Sequence, residues 1–146
     1  MARAQAQADP ADAGMQFHPF GGLRVGVPQH ASIAAVLQYP LTDVGEGSSV
    51  GQDLLFAIEP GVTAGRVSAD YLAAYGRWAS GIAVGATALR TWGRPWSAPQ
   101  HATYVGAEVY LFPAFAIGPR VSLLRGLGDS AESKRWLLAL DFGFGF

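Results

Sequence analysis

A histidine and a serine stand two residues apart in His30-Ala31-Ser32. On a strand that spacing puts imidazole and hydroxyl on one face. With Glu59 or Glu108 as orienting acid, the set could serve as base and nucleophile for hydrolysis. The motif is only two residues long, however, and His30 and His101 fall at expected strand ends, while His18 lies in an aperiodic start. Rim and loop positions explain all three. "GVTAG" and "GLGDS" hold glycines, yet neither follows a strand and opens a helix, the context in which such loops cradle phosphate. "DVGEG", with Asp43 and Glu46, lacks the ligand density of a calcium loop. The chain has no cysteine, so thiolate metal sites and disulfides are excluded. The reading is of a protein without catalysis, metal or cofactor.

A second set of charges points to different chemistry. Glu59, Arg66, Asp70, Glu108, Arg120 and Asp141 all fall on the polar side of alternating segments, beside Gly, Ser and Thr. Opposite charges confined to one narrow space are expected to form an interior network of Arg–carboxylate pairs, the most favourable geometry for buried ions.

The elements that must hold these residues are strands. From Phe20 onward, segments of about ten residues alternate in polarity and are punctuated by Gly, Pro and Ser. Candidate strands cover 20–28, 30–40, 52–63, 66–76, 81–92, 101–111, 114–124 and 134–146. Alanine propensity would make "ADYLAAY" helical, but Val67, Ala69, Tyr71, Ala73 and Tyr75 keep the strand period. One face carries Leu54, Phe56, Ile58, Val67, Tyr71, Val84, Val105, Val109, Leu111, Val121 and Leu123; Arg90 is the exception on it. Residues 1–19 lack a period and are expected to be a flexible leader, with a barrel domain over 20–146. Ala4-Gln5-Ala6 and Ala6-Gln7-Ala8 match the small-x-small pattern before a signal cleavage site. Met1–Ala8 therefore reads either as the tail of an export signal or as a plain Ala/Gln leader.

Composition separates two architectures that share this pattern. Only 14% of the 146 residues are charged, against 50% hydrophobic, and Lys134 is the one lysine. Soluble surfaces usually need roughly 25–35% charged residues. In a soluble barrel the apolar face would line the inside. In a membrane barrel the faces exchange, with lipid outside and small or polar residues within. Strands of this length suit the ~9–11 residues needed to cross a bilayer at a tilt. Aromatics gather toward two levels, Tyr75, Trp78, Tyr110 and Phe112 near one rim and Trp92, Trp96 and Trp136 near the other, as interfacial girdles would. The membrane arrangement is expected: an all-β, closed, antiparallel up-and-down transmembrane barrel of about eight strands. Net charge is −1, and no basic patch with interleaved aromatics suggests nucleic acid.

The last stretch, "RWLLALDFGFGF", alternates Trp136, Leu138, Leu140, Phe142, Phe144 and Phe146 with mostly small residues. It resembles the closing strand of Gram-negative outer-membrane β-barrels, and the pattern over 20–146 is closest to the small eight-stranded OmpA and OmpX type. The resemblance implies that these six residues are the signal read by the barrel-assembly machinery. It also implies a cell outer-membrane location, outer-membrane lipids as partners, a monomer, and loops 93–100 and 125–133 facing outward. It names an architecture and a location but no activity. Two alternatives stand beside a structural or interaction role: a lipid-modifying hydrolase, since outer-membrane lipid A deacylases also use Ser, His and an acid, and a soluble lipocalin-like carrier of an apolar ligand. Three features fit a closed barrel poorly: Pro60 and Pro119 inside expected strands, the long "PLTDVGEGSSVG" connection, and the weakly patterned "FGGLRVGVP".

Overall fold

The computed structural model describes residues 20–42, 50–75, 80–113, 117–128 and 135–144. The 1–19 leader, His18, Asp43, Glu46, Trp78 and Phe146 lie outside the described residues. Eight strands follow one another: β1 (Phe20–Val27), β2 (His30–Thr42), β3 (Val50–Pro60), β4 (Ala64–Tyr75), β5 (Ser80–Thr91), β6 (Thr103–Phe112), β7 (Ile117–Gly126) and β8 (Trp136–Phe144). Each pairs antiparallel with the next, and β8 returns to β1 through Leu23↔Phe144 to Val27↔Leu140. The sheet closes on itself and leaves no edge strand.

The awkward prolines find places that spare the ladder. Pro60 is the last residue of β3. Pro119 stays opposite Phe142 on β8, but the β6–β7 pairing has already ended at Tyr110↔Arg120. Its missing N–H therefore costs nothing on the β6 side. Both ends of the long connection are strand: β2 runs on to Thr42, with a register shift between Pro40 and Thr42, and β3 starts at Val50. "ADYLAAY" lies wholly in β4, where Asp70 is opposite both Leu55 and Gly85.

Following paired residues round the wall gives Gly21, Ala35, Ile58, Val67, Ala88, Val105, Arg125 and Trp136. The circuit ends at the start of β8, far from Phe144, which closes on Leu23. The strands are thus strongly staggered, as closure of a barrel requires. Below, the lower rim is the end where β1 starts and β8 finishes. The upper rim holds the turns at 28–29 and 61–63, the segment 92–102, the end of β7 and the start of β8.

Alternation sends the two residue classes to opposite sides. Outward go Leu23, Val25, Ile33, Phe56, Ile58, Val67, Val121, Leu123, Leu138, Phe142 and Phe144, all exposed. Inward go two apolar clusters with a polar layer between them. Ala34, Val36, Leu55, Ala57, Leu72, Ala83, Tyr110 and Phe112 fill the lower interior, and Ala64, Leu89, Ala102, Tyr104, Leu124, Leu137 and Ala139 fill the upper.

Candidate functional site

The polar layer is built from six strands. Alternation aims Arg24 of β1, Glu59 of β3, Arg66 of β4, Glu108 of β6, Arg120 of β7 and Asp141 of β8 inward, one residue from each of six strands in all, and none is more than 5% exposed. Arg120 donates through both terminal nitrogens to the two carboxylate oxygens of Glu59, with Nη2–Oε2 at 2.7 Å, and through Nε to Asp141 Oδ2 at 3.2 Å. Arg66 Nη1 donates to Glu108 Oε2 at 2.9 Å and to Ser122 Oγ at 3.0 Å. Arg66 Nη2 stands 3.0 Å from Asp141 Oδ2, so Asp141 bridges two guanidinium groups. Arg24 Nε lies 3.6 Å from Glu59 Oε1, and its guanidinium sits 4.3 Å above the Tyr110 ring, in cation–π range.

Three arginines thus face three carboxylates, and the layer is electrically balanced. Balance matters because an unpaired ion in a low-dielectric interior is prohibitively costly. Fork geometry and the Ser122 hydroxyl, which also donates to Glu108 at 3.3 Å, satisfy further lone pairs. Inward glycines make the space: a Cβ on Gly143 would come within 2.7 Å of Arg24 Cγ, and one on Gly26 within 2.7 Å of Asp141 Oδ1.

Of the residues expected in the network, Glu59, Arg66, Glu108, Arg120 and Asp141 meet directly. Asp70 joins no ion pair among the described residues and accepts instead from Ser68 Oγ at 2.8 Å. Arg24 was missed because glycines dilute the pattern of β1. The signal was present all the same: Leu23, Val25 and Val27 set an outward face and leave Arg24 inward. Gln38 and Asp53 add a second unforeseen polar pair at 2.8 Å nearer the lower rim.

The aromatic girdles need correction at the lower rim. Tyr110 and Phe112 point into the lumen, at 5% and 0% exposure, and their rings pack at 5.2 Å. Both share the inward parity of Glu108 on β6, so being near a rim did not place them on the wall. Among the described residues, Tyr39 and Tyr71 are exposed on the lower wall. Tyr75 ends β4, and Trp78 lies outside the described residues. At the upper rim, Trp92 donates its indole N–H to the Val62 carbonyl at 3.0 Å, and Trp136 is exposed with Arg125 over its ring. Trp96 belongs to the 92–102 segment and packs on His30, ring centroids 4.1 Å apart.

That contact bears on the hydrolase alternative. Ser32 Oγ and His30 Nε2 are both buried without a hydrogen-bond partner among the described residues, so they do not bond each other. Glu59 and Glu108 are committed to guanidinium groups. The carrier alternative expects the apolar face inward, and the structure reverses it. The cavity among Arg24, Asp70, Tyr110 and Arg120 is about 20 Å³, room for about one water.

Compared with protein families, curated proteins and solved structures, the chain matches none.

Proposed function

We propose that this chain is a small outer-membrane β-barrel of structural or interaction type, with a closed lumen and no catalysis. One observation carries the reading: large apolar residues of all eight strands are exposed on the outside of a closed barrel whose interior holds a layer of buried ion pairs. A typical soluble monomer exposes an apolar patch of roughly 300–600 Å² at most. A band that circles the wall needs a solvent of its own, and lipid supplies one. Closure of the sheet satisfies every strand's backbone in that solvent. The length of the strands, eight to thirteen residues, suits a tilted crossing.

In this reading the partners are outer-membrane lipids, with the barrel-assembly machinery engaging the alternating residues of β8 during biogenesis, and the protein is a monomer. The upper rim faces outward, since it carries the 92–102 segment, the longest connection among the described residues. The test is to express the chain and follow its partition and gel migration. The expected result is recovery in the membrane fraction, dependence on detergent, and faster migration unheated than boiled. A protein that stays monomeric in buffer without detergent would overturn the reading.

A further inference from the structure

Among the described residues every acid, Asp53, Glu59, Asp70, Glu108 and Asp141, faces the lumen. The arginines do not follow suit. Arg90, Arg94, Arg125 and Arg135 are exposed, and all four belong to the upper-rim sector from β5 to β8. Arg90 is the most unusual, because it stands on the outer wall inside a strand. Its Nη1 donates to Thr103 Oγ1 at 2.6 Å, its partner across β5–β6. Arg125, on β7, lies two strands from Arg90, opposite Val105 and Trp136. Near a membrane interface an outward guanidinium costs little, and at that depth it can meet an anionic group from outside the chain.

The wall beneath them has a shape that fits one. A groove of about 340 Å³ runs between Arg90, Trp92 and Thr103 above and Pro60 and Gly65 beside them. Its lining is almost wholly apolar below the Arg90 head. Trp92 packs over Gly65, where a Cβ would collide with the indole at 2.5 Å. From Gly65↔Arg90 the pairs descend through Val67↔Ala88 to Ala69↔Ala86, where a shallower trough continues toward mid-wall. Cations at headgroup depth over an apolar channel toward the bilayer centre match one class of molecule.

We propose that this sector is a binding site for a phosphorylated membrane lipid. Arg90, with Thr103, and Arg125 hold the phosphate, and an acyl chain lies in the groove over Ala88 and Ala86. Phosphate suits the guanidinium fork, which forms paired charge-assisted hydrogen bonds with its oxygens. The site deepens the membrane reading above and rests on it.

The test uses the folded barrel in detergent, titrated with phosphatidic acid or with phosphatidylcholine of the same acyl chains and read by native mass spectrometry. Wild type should retain phosphatidic acid preferentially. Arg90→Gln should lower that retention roughly fivefold, and Arg90→Gln/Arg125→Gln by the product of two such factors. Arg94→Gln, in the loop, should leave it unchanged. Ala88→Leu, which fills the groove and keeps both arginines, should also reduce it. Inorganic phosphate added in excess should not displace the lipid; displacement would show a simple anion site and overturn the acyl-chain assignment. Equal retention of the two lipids by wild type, or an unchanged preference in the double variant, overturns the proposal while vesicle insertion leaves the membrane reading standing. A chain that never inserts overturns both.

Discussion

Arg120 and Val121 are neighbours in β7 with opposite fates, and Arg120 shows what an interior charge is for. It touches Glu59 and Asp141 directly and comes within 3.9 Å of Glu108. The net contribution of such a cluster relative to a well-packed apolar core can be small or even unfavourable. Removing one member is another matter, because the remaining carboxylates stay buried without a counter-charge. Arg120→Ala should therefore destabilise the barrel by about 3–5 kcal/mol, measured by urea unfolding from lipid vesicles. Arg94→Ala, at an exposed loop position, should leave the midpoint unchanged. Glu59→Gln should behave as Arg120→Ala does, and the double change Glu59→Gln/Arg120→Ala should recover part of the loss. Strictly additive losses in that cycle would mean the two residues are not coupled.

At the scale of the strand, alternation decides which positions accept a charge. Val121 faces outward between Val109 on β6 and Leu140 on β8, near mid-wall. Val121→Arg should cost about 2–4 kcal/mol and slow folding into vesicles, although the preceding residue is already an arginine. Folding into vesicles with unchanged stability would argue against a lipid-facing wall. The same alternation made most of the fold legible. It located eight strands to within a few residues, kept "ADYLAAY" in a strand, and separated the two faces from β3 to β8. It failed where the pattern was thin: the glycines of β1 hid Arg24. Alternation put Tyr110 with Glu108 on the inward face, and counting it and Phe112 among the interface aromatics from their height along the axis was the error. The pairing partners were beyond reach altogether. Glu59 and Arg120 are 61 residues apart in the chain, and only the stagger of the closed sheet brings them to one level.

For the whole molecule, three interior layers determine what can pass along the axis. The lower apolar cluster ends in Phe112, fully buried, and the upper one holds Leu89, Tyr104 and Leu124 at 1% exposure or less. Between them the ion pairs span the lumen from β3 to β7 and from β4 to β6 and β8. An eight-stranded barrel has an interior just wide enough for side chains to fill, and here three successive layers fill it. A water column would have to breach all three, while an ion would also have to displace an existing counter-ion. Planar-bilayer recording of the wild type should accordingly show no steady conductance. Tyr104→Ala/Leu124→Ala, which thins the upper layer alone, should remain silent because the ion pairs and the Phe112 cluster still close the axis. The variant should instead lose stability by several kcal/mol, since large-to-small changes at such buried sites typically cost about 2–5 kcal/mol each. A steady ohmic current from the wild type, with ion selectivity altered by Arg120→Ala and stability untouched, would show that the same charges line a pore.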